Sequence, residues 1–228
     1  MPAPSVYITG TDTGIGKTRV STAWLHGLRA RGLAAVGMKP VASGCEAGPD
    51  GWRNEDALAL QAASACRAAY DDINPYALPL PLAPELAARA AGVDIRLDRI
   101  VAAHARLGAQ ADVVVVEGVG GWAAPLSASL MQVDLARALG LPVVLVVGLR
   151  LGCLNHSLLT ARAIAADGCQ LLGWVGNAID PDMACREEHR TMLQSRIEAP
   201  CLGWLPHEPL ADGATQSRYL SLPDWTAS

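Results

Sequence analysis

The sequence predicts an α/β fold with one doubly wound, mostly parallel sheet. Apolar or β-branched stretches alternate along the chain with stretches of helical periodicity, which is the pattern of successive strand–helix units. Two of these stretches, residues 113–116 and 143–147, are apolar on both faces, as strands covered by helices on each side must be. A glycine-rich turn at residues 10–18 joins the first strand to a helix and makes the fold P-loop NTPase-like.

The same pattern predicts the individual elements. Strands are expected at residues 5–9, 35–38, 112–116, 142–147, 171–176 and 201–205. Helices are expected after the glycine-rich turn and near residues 54–68, 96–109, 131–139, 155–167 and 183–196. The first helix carries one apolar stripe and is expected to end at Gly32; the stripe consists of Val20, Ala23, Trp24, Gly27 and Leu28.

Several boundaries carry specific signals. Asn155 is the expected N-cap of the helix near 155–167, and Gly168 is expected to end that helix. The proline-rich stretch from Pro75 to Pro84 is expected to be a loop that either covers the functional site or connects two elements. The segment after Pro206 is rich in turn residues and is expected to be peripheral. Ligands of doubly wound sheets bind beyond the carboxyl ends of the strands, so we expect the functional site there.

Length and composition exclude several functional classes. The 228 residues suffice for one large core, so residues 1–228 are expected to form a single domain. A net charge of −4 without a basic stripe argues against a nucleic-acid partner. The longest apolar runs are of strand length and the N-terminus lacks a signal pattern, so no membrane association is expected. Six scattered cysteines without a C-x2-C pair suggest reduced thiols and a cytoplasmic location.

Residues Gly10 to Thr18 read G-T-D-T-G-I-G-K-T and have the form of a phosphate-binding loop. The spacing is G-x5-GKT, one residue longer than the common form. Backbone N–H groups of such a loop converge on phosphate oxygens, and the following helix adds the positive end of its dipole. Lys17 would reach the outer phosphates, and the hydroxyl of Thr18 would bind Mg²⁺. The sequence therefore predicts a nucleotide site.

Two further charged residues stand at strand ends. Glu117 closes the apolar strand at 112–116, where phosphate-loop enzymes hold Mg²⁺ directly or through water; the alternative is a solvent-facing strand cap. Lys39 closes the strand at 35–38, and beside a triphosphate it would stabilise charge that develops on phosphoryl transfer; the alternative is a solvated end residue. Ser43 and Gly44 offer a hydroxyl and a backbone N–H to an anionic substrate group.

Other polar positions allow two interpretations each. Asp56 is either a helix cap or a metal ligand. The turn at 148–156 is either an ordinary capped turn or a second, smaller anion site suited to a carboxylate. Asn177 either reads a base edge or forms a turn. Cys153 lacks an evident base partner, so nothing predicts a covalent intermediate.

Taken together, these segments resemble the dethiobiotin synthetase family of biotin biosynthesis, whose lengthened phosphate loop the chain shares. The matching segments span most of the chain in the family's order: Gly10 to Thr18, Lys39-Pro-Val-Ala-Ser-Gly44, Asn54 to Leu60, Asn74-Pro75-Tyr76, Val116-Glu-Gly-Val-Gly-Gly-Trp122, Leu151-Gly-Cys-Leu-Asn-His156 and Gly173-Trp-Val-Gly-Asn177. The resemblance implies an ATP- and Mg²⁺-dependent reaction of 7,8-diaminononanoate with CO₂. The 7-amino group gives a carbamate, ATP phosphorylates it, and the 8-amino group closes the ureido ring of dethiobiotin with release of ADP and phosphate.

The resemblance also implies residue roles. Lys17 and Lys39 would be the catalytic residues, and Thr18, Asp56 and Glu117 would organise Mg²⁺. The nucleotide would contact Gly14, Ile15, Gly16, Lys17, Thr18, Arg19, Asp56, Glu117, Gly118, Val119, Gly120, Asn177, Ala178, Pro206, His207 and Glu208. The substrate would contact Thr13 and Ser43, and its far carboxylate would bind Gly152, Cys153, Leu154 and Asn155 of a second subunit. The family is a homodimer, so the site would be shared between subunits.

The chain departs from the family at two places. Gly14 stands where other members can carry a Glu, and the segment 206–210 matches only loosely where the family completes its nucleotide pocket. Two alternatives share a similar phosphate loop. A cobyrinic-acid-type amidating ligase would carry a glutaminase domain, for which the sequence leaves no room. A partition or cell-division ATPase would carry an early lysine in the loop, where this chain has Thr11, Asp12 and Thr13.

Overall fold

The computed structural model describes residues 4–208 and 210–225. Its centre is a parallel sheet of six strands in the order β10-β9-β8-β1-β7-β2. These strands are β1 (Ser5–Gly10), β2 (Ala35–Met38), β7 (Val113–Glu117), β8 (Val143–Leu149), β9 (Leu171–Ala178) and β10 (Cys201–Leu205). All six predicted sheet strands are therefore confirmed to within two residues at each end. β1 lies near the middle, so the glycine-rich turn that follows it opens at the centre of one sheet edge.

Helices cover both faces of the sheet, as the doubly wound prediction requires. The helices are α1 (Lys17–Ala30), α2 (Glu55–Ala63), α3 (Tyr70–Ile73), α4 (Pro84–Ala91), α5 (Leu97–Gly108), α6 (Gln132–Leu139), α7 (Cys153–Ala166), α8 (Arg186–Gln194) and α9 (Gly213–Ser217). On one face α1 and α2 pack on Val113, Val115 and their neighbours. On the other face α5, α6 and α7 pack on Val114, Val116 and Leu145. Alternate residues of each strand thus feed two separate cores.

The short elements between β2 and α5 were not predicted. β3 (Val41–Ser43) pairs in parallel with β6 (Tyr76–Leu78), and β4 (Glu46–Gly48) forms a hairpin with β5 (Gly51–Arg53). The prediction of a loop from Pro75 to Pro84 is wrong in part, because β6 lies within it and α4 begins at Pro84. A strand of three residues has no measurable periodicity, and only its pairing with a distant segment makes it a strand.

Three helix boundaries also differ from the predictions, and one of them is the start of α8, which lies at Arg186 rather than near residue 183. The helix expected at 54–68 ends at Ala63, and the hydroxyl of Ser64, its C-cap, accepts a hydrogen bond from the backbone N–H of Gly37 in β2. The expected N-cap Asn155 lies inside α7, which begins two residues earlier after Gly152. Gly152 has φ of +96°, a conformation that glycine adopts without strain, and this turn sets the helix start. Gly168 follows the end of α7 as predicted.

The segment after Pro206 is not peripheral. Its helix α9 packs against α1, so the last part of the described chain lies beside the first helix. No helix within residues 4–208 and 210–225 is long and apolar enough to cross a membrane.

Candidate functional site

The functional site is a cavity of about 420 Å³ at the carboxyl ends of β1, β2 and β7. Its walls contain eleven of the predicted site residues: Thr13, Gly14, Gly16, Lys17, Thr18, Lys39, Ser43, Asp56, Glu117, Val119 and Gly120. Residues far apart in sequence meet there because parallel strands end at one edge of the sheet. The position agrees with the expectation for a doubly wound fold.

The turn between β1 and α1 has the backbone of an anion site. Gly14 and Gly16 have φ of +71° and +88°, and Gly16 is the N-cap of α1. A side chain at Gly16 would also overlap the amide of Asn177, so only glycine fits there. The first N–H groups of α1 have no partner within the helix, and because Lys17 and Thr18 line the cavity, an anion bound there would accept from them.

Lys17 is the first residue of α1 and is almost fully buried. Its ammonium group donates a hydrogen bond of 2.9 Å to the carbonyl oxygen of Asp12. Burial, and next the positive charge of Lys39, lower the pKa of Lys17 to about 8. A phosphate anion in the turn would oppose both effects and favour the charged lysine.

Lys39 occupies a different environment, between two carboxylates. Its Nζ lies 2.5 Å from Glu117 Oε1 and 3.0 Å from Asp56 Oδ2. Burial by itself would lower the pKa of Lys39, but the charges of Glu117 and Asp56 and their hydrogen bonds outweigh it and raise the pKa. Burial likewise opposes ionisation of Asp56, yet Lys39 and the hydroxyl of Thr18 hold the pKa of that carboxyl below its usual value. Lys39 and Asp56 therefore both carry their charges at neutral pH.

Thr18, Asp56 and Glu117 have the chemistry of a Mg²⁺ site. The hydroxyl oxygen of Thr18 lies 2.6 Å from Asp56 Oδ1 and 2.9 Å from Glu117 Oε1. Glu117 is fully buried, and its Oε2 has no hydrogen-bond partner among the described residues. Mg²⁺ prefers oxygen ligands and usually takes only a few from the protein, with water and phosphate supplying the others. In the described ranges no group of three His, Cys, Asp or Glu side chains could hold a metal ion, and this pair of carboxylates with one hydroxyl fits Mg²⁺ by the chemistry of its donors.

The resemblance places residues 177–178 and 206–208 around the nucleotide, and we call them the base-side residues. Three of them contact Arg19. Its guanidinium lies 3.3 Å from Asn177 Oδ1, 3.0 Å from the carbonyl oxygen of Pro206 and 2.9 Å from that of Glu208. Asn177 is buried and donates a 2.9 Å hydrogen bond to the carbonyl oxygen of Ile15 in the phosphate loop. Both the oxygen and the nitrogen of the Asn177 side-chain amide therefore have hydrogen-bond partners within the protein. His207 Nδ1 lies 3.1 Å from the carbonyl oxygen of Ala178, which brings the remaining two base-side residues together.

The turn predicted to bind the substrate carboxylate lies outside the cavity. Gly152, Cys153, Leu154 and Asn155 form the N-terminus of α7, and none of them lines the space beside Lys39. Arg150, just before this turn, forms a 2.7 Å ion pair with Asp12 of the phosphate loop. Cys153 is buried, and burial raises the pKa of its thiol, which agrees with its exclusion as a nucleophile.

Sequence reasoning missed several supporting residues. Asn54 caps α2 and lines the cavity, and Asn74 donates a 2.7 Å hydrogen bond to the carbonyl oxygen of Lys39. Gln216 accepts a 2.5 Å hydrogen bond from Arg19. For Gln216, which lies 39 residues beyond Asn177, the sequence offers no signal.

Comparison with known sequences decides the family. The AAA domain family matches residues 4–215. The ATP-dependent dethiobiotin synthetase BioD of Xanthomonas oryzae pv. oryzae is 65% identical over 223 residues, which cover 98% of this chain and 100% of that one. The chain belongs to the ATP-dependent dethiobiotin synthetase family. The BioD of Xylella fastidiosa is also similar, at 62% identity over 92% of each chain.

Membership in the dethiobiotin synthetase family confirms the predicted enzyme class and its dependence on ATP. It also decides against the two alternatives, the amidating ligase and the partition ATPase. The chain's fold is similar to that of the MinC:MinD cell division protein complex of Aquifex aeolicus, with a TM-score of 0.57 over 96% of this chain and 87% of that one. The fold is also similar to that of the signal recognition particle receptor FtsY of Elizabethkingia anophelis, with a TM-score of 0.52 over 97% of this chain and 64% of that one. At 15% and 14% identity, these likenesses show the P-loop NTPase fold alone.

Proposed function

We propose that residues 1–228 form a single synthetase domain that uses ATP and Mg²⁺ to make dethiobiotin from 7,8-diaminononanoate and CO₂. The observation that carries the proposal is the buried cluster of Lys39, Asp56, Glu117 and Thr18 beside the phosphate loop. With ATP bound, this cluster would put a positive charge and a set of oxygen ligands next to the γ-phosphate, and no side chain there is needed as a nucleophile. Phosphoryl transfer requires positioning and charge stabilisation more than covalent chemistry.

Each lysine has a distinct part in this scheme. The 7-amino group and CO₂ form a carbamate, which is negatively charged and receives the γ-phosphoryl group of ATP. Lys39 stabilises the carbamate and the charge that develops during transfer, because its two carboxylate partners keep it protonated. Lys17 binds the outer phosphates from the start of α1. The 8-amino group then displaces phosphate and closes the ring.

Thr18, Asp56 and Glu117 would hold Mg²⁺. A bound Mg²⁺ neutralises phosphate charge and orients the β- and γ-phosphates. The unpartnered, buried Oε2 of Glu117 supports this assignment, because an isolated buried carboxylate oxygen is unfavourable without a cation or a donor. On the base side, Asn177, Ala178, Pro206, His207 and Glu208 would surround the adenine, with Arg19 behind them.

The diamine substrate would lie between Lys39 and the opening of the cavity, with Thr13 and Ser43 at its polar end. Its far carboxylate would bind the turn 152–155 of a second copy, which makes the protein a homodimer with shared sites. One feature supports this: the turn lies outside its own chain's cavity. The cytoplasmic location stays a prediction.

Mass spectrometry tests the reaction directly. Purified protein is incubated with ATP, Mg²⁺, labelled bicarbonate and 7,8-diaminononanoate. Labelled dethiobiotin with one ADP per product supports the proposal. ATP binding without product, in protein shown to be folded, would contradict the substrate assignment and leave the nucleotide site intact.

Mixed subunits test the shared site. Asn155 lies exposed in the first turn of α7, and Asn155→Asp would repel a substrate carboxylate while an acid at that position favours the helix. We expect the Michaelis constant for the diamine to rise about tenfold. When this variant is mixed with Lys39→Ala, heterodimers regain one intact site, and at diamine concentrations well below the wild-type Michaelis constant the activity should return to about a quarter of wild type. Absence of recovery, in a mixture shown to exchange subunits, would place both residues in the same protomer's site.

A further inference from the structure

Arg19 forms an unusually complete set of hydrogen bonds within the candidate nucleotide site. Its Nε donates to Gln216 Oε1 at 2.5 Å, one terminal nitrogen donates to Asn177 Oδ1 at 3.3 Å, and the other to the carbonyl oxygens of Pro206 and Glu208 at 3.0 and 2.9 Å. These four acceptors come from three separate parts of the chain. Hydrogen bonds to a charged donor are stronger than neutral ones, so Arg19 joins these parts firmly.

Gln216 completes the network from its other side. It is almost fully buried, in α9, and its Nε2 donates to the carbonyl oxygen of Ala211 at 3.1 Å, with that of Glu208 at 3.5 Å. Its Oε1 is the acceptor for Arg19. One amide therefore links the guanidinium to the backbone of the segment between β10 and α9, and every polar atom of the Gln216 side chain is used.

The segment between β10 and α9 is held, in its described residues, by the hydrogen bonds of Arg19 and Gln216, by the contact of His207 with the carbonyl oxygen of Ala178, and by turns of its own backbone. It follows the last strand at the edge of the sheet, and Leu210 within it is 98% exposed. Segments with few buried apolar contacts open easily, so specific hydrogen bonds decide whether they keep one conformation. Arg19 supplies such bonds from α1, two residues after the phosphate-binding Lys17.

We infer that Arg19 and Gln216 are positioning residues that preform the base-side wall of the nucleotide pocket. The inference rests on the proposed function, in which residues 206–208 and Asn177 surround the base. The pocket then has two parts. The loop at 14–18 binds phosphates without help from Arg19. The wall formed by 206–208 selects a nucleoside only while Arg19 holds it. A nucleotide then binds without first ordering this wall.

Two ligands distinguish this role from a general structural one. ATP needs both parts of the pocket, whereas inorganic tripolyphosphate needs only the phosphate loop. In Arg19→Ala we expect the dissociation constant for Mg-ATP to rise about tenfold and that for Mg-tripolyphosphate to change less than about twofold. Calorimetry with each ligand, in the absence of diamine, measures both constants.

Further variants serve as controls for these binding measurements. Arg29→Ala removes another arginine of α1, one that donates to the carbonyl oxygen of Ala63 away from the pocket, and it should change neither constant. Arg19→Lys keeps the charge but cannot reach four acceptors, so it should behave as Arg19→Ala. Gln216→Ala should weaken ATP binding by a smaller factor, and the double variant should be no weaker than Arg19→Ala, because the two residues act as one unit.

Three results would overturn the inference: an equal loss of affinity for both ligands, an unchanged affinity for ATP, or additive effects of the Arg19 and Gln216 substitutions. Equal loss would mean that Arg19 supports the phosphate loop itself. Because these constants are measured without diamine, they do not depend on dethiobiotin formation. A wild-type protein that makes no dethiobiotin but shows the selective loss would contradict the proposed reaction and leave the role of Arg19 supported.

Discussion

The two ends of the nucleotide pocket are built in opposite ways. At the phosphate end, Lys39 and Glu117 close strands of the central sheet and are buried, and they interact through charge. At the base end, Pro206 and Glu208 lie beyond the edge strand and contribute backbone carbonyls. In the proposed function, charge stabilisation thus falls to buried residues at strand ends, and nucleoside selection falls to a segment held by hydrogen bonds. Rigid placement matters most where charge develops during reaction.

The two lysines show the same contrast within the phosphate end. Lys39 is held charged by two carboxylates, whereas burial and the neighbouring Lys39 lower the pKa of Lys17 to about 8. Lys39 has its partners before any ligand arrives. Among the described residues, the ammonium group of Lys17 has a hydrogen bond only to the carbonyl oxygen of Asp12, so an anion would improve its environment. Lys39 therefore suits catalysis, and Lys17 suits ligand capture.

Removal of Lys39 should have the largest effect. In Lys39→Ala we expect turnover to fall roughly 100-fold or more, with a much smaller loss of ATP affinity, because the charge acts on the transferring group. The variant also leaves Asp56 and Glu117 unpaired, so the free energy of unfolding should fall by about 3–5 kcal/mol. Single-turnover kinetics, calorimetry and denaturant unfolding separate these effects. Near-normal turnover would remove Lys39 from the chemistry.

Substitution of the two carboxylates should have an intermediate effect that distinguishes them. Glu117→Gln keeps the shape of a fully buried side chain but removes its charge, and we expect the Mg²⁺ concentration for half-maximal activity to rise roughly 10- to 100-fold. Asp56→Asn should raise it less, because Asp56 is partly exposed and water can replace its oxygen. Activity titrations with Mg²⁺ at fixed ATP measure both. An unchanged requirement in Glu117→Gln would show that Glu117 serves only to keep Lys39 charged.

Asn177→Ala should have the smallest effect, and it tests where the two ends of the pocket join. Asn177 bonds to Ile15 of the phosphate loop and to Arg19 of the base side. We expect tripolyphosphate to bind about threefold more weakly, because the lost hydrogen bond to Ile15 loosens the phosphate loop, and ATP about tenfold more weakly, because it also loses a contact to the base. This pattern differs from the selective loss expected for Arg19→Ala. If only the affinity for ATP fell, Asn177 would belong to the base end of the pocket and not to its phosphate end.

Much of the molecule could be predicted because its signals are local. The phosphate loop, the strands of the sheet and the alternation of strands with helices depend on glycine, β-branched residues and periodicity, which are visible within short windows. Glu117 and Lys39 could be assigned because each directly follows a buried strand, and strand ends meet at one edge. The resemblance to a known family added Asp56, which by itself looked like a helix cap and lies 3.0 Å from Lys39.

What the sequence determined by itself was therefore the fold class, the phosphate loop and the family. Only the tertiary structure decided the pairing of β3 with β6, the start of α7 at Cys153, and the place of the last segment against α1. It also decided that Arg19 meets Gln216, a contact across 197 residues. The physical reason is that such contacts depend on pairing and burial between distant segments, whose energies do not appear in any local pattern of residues.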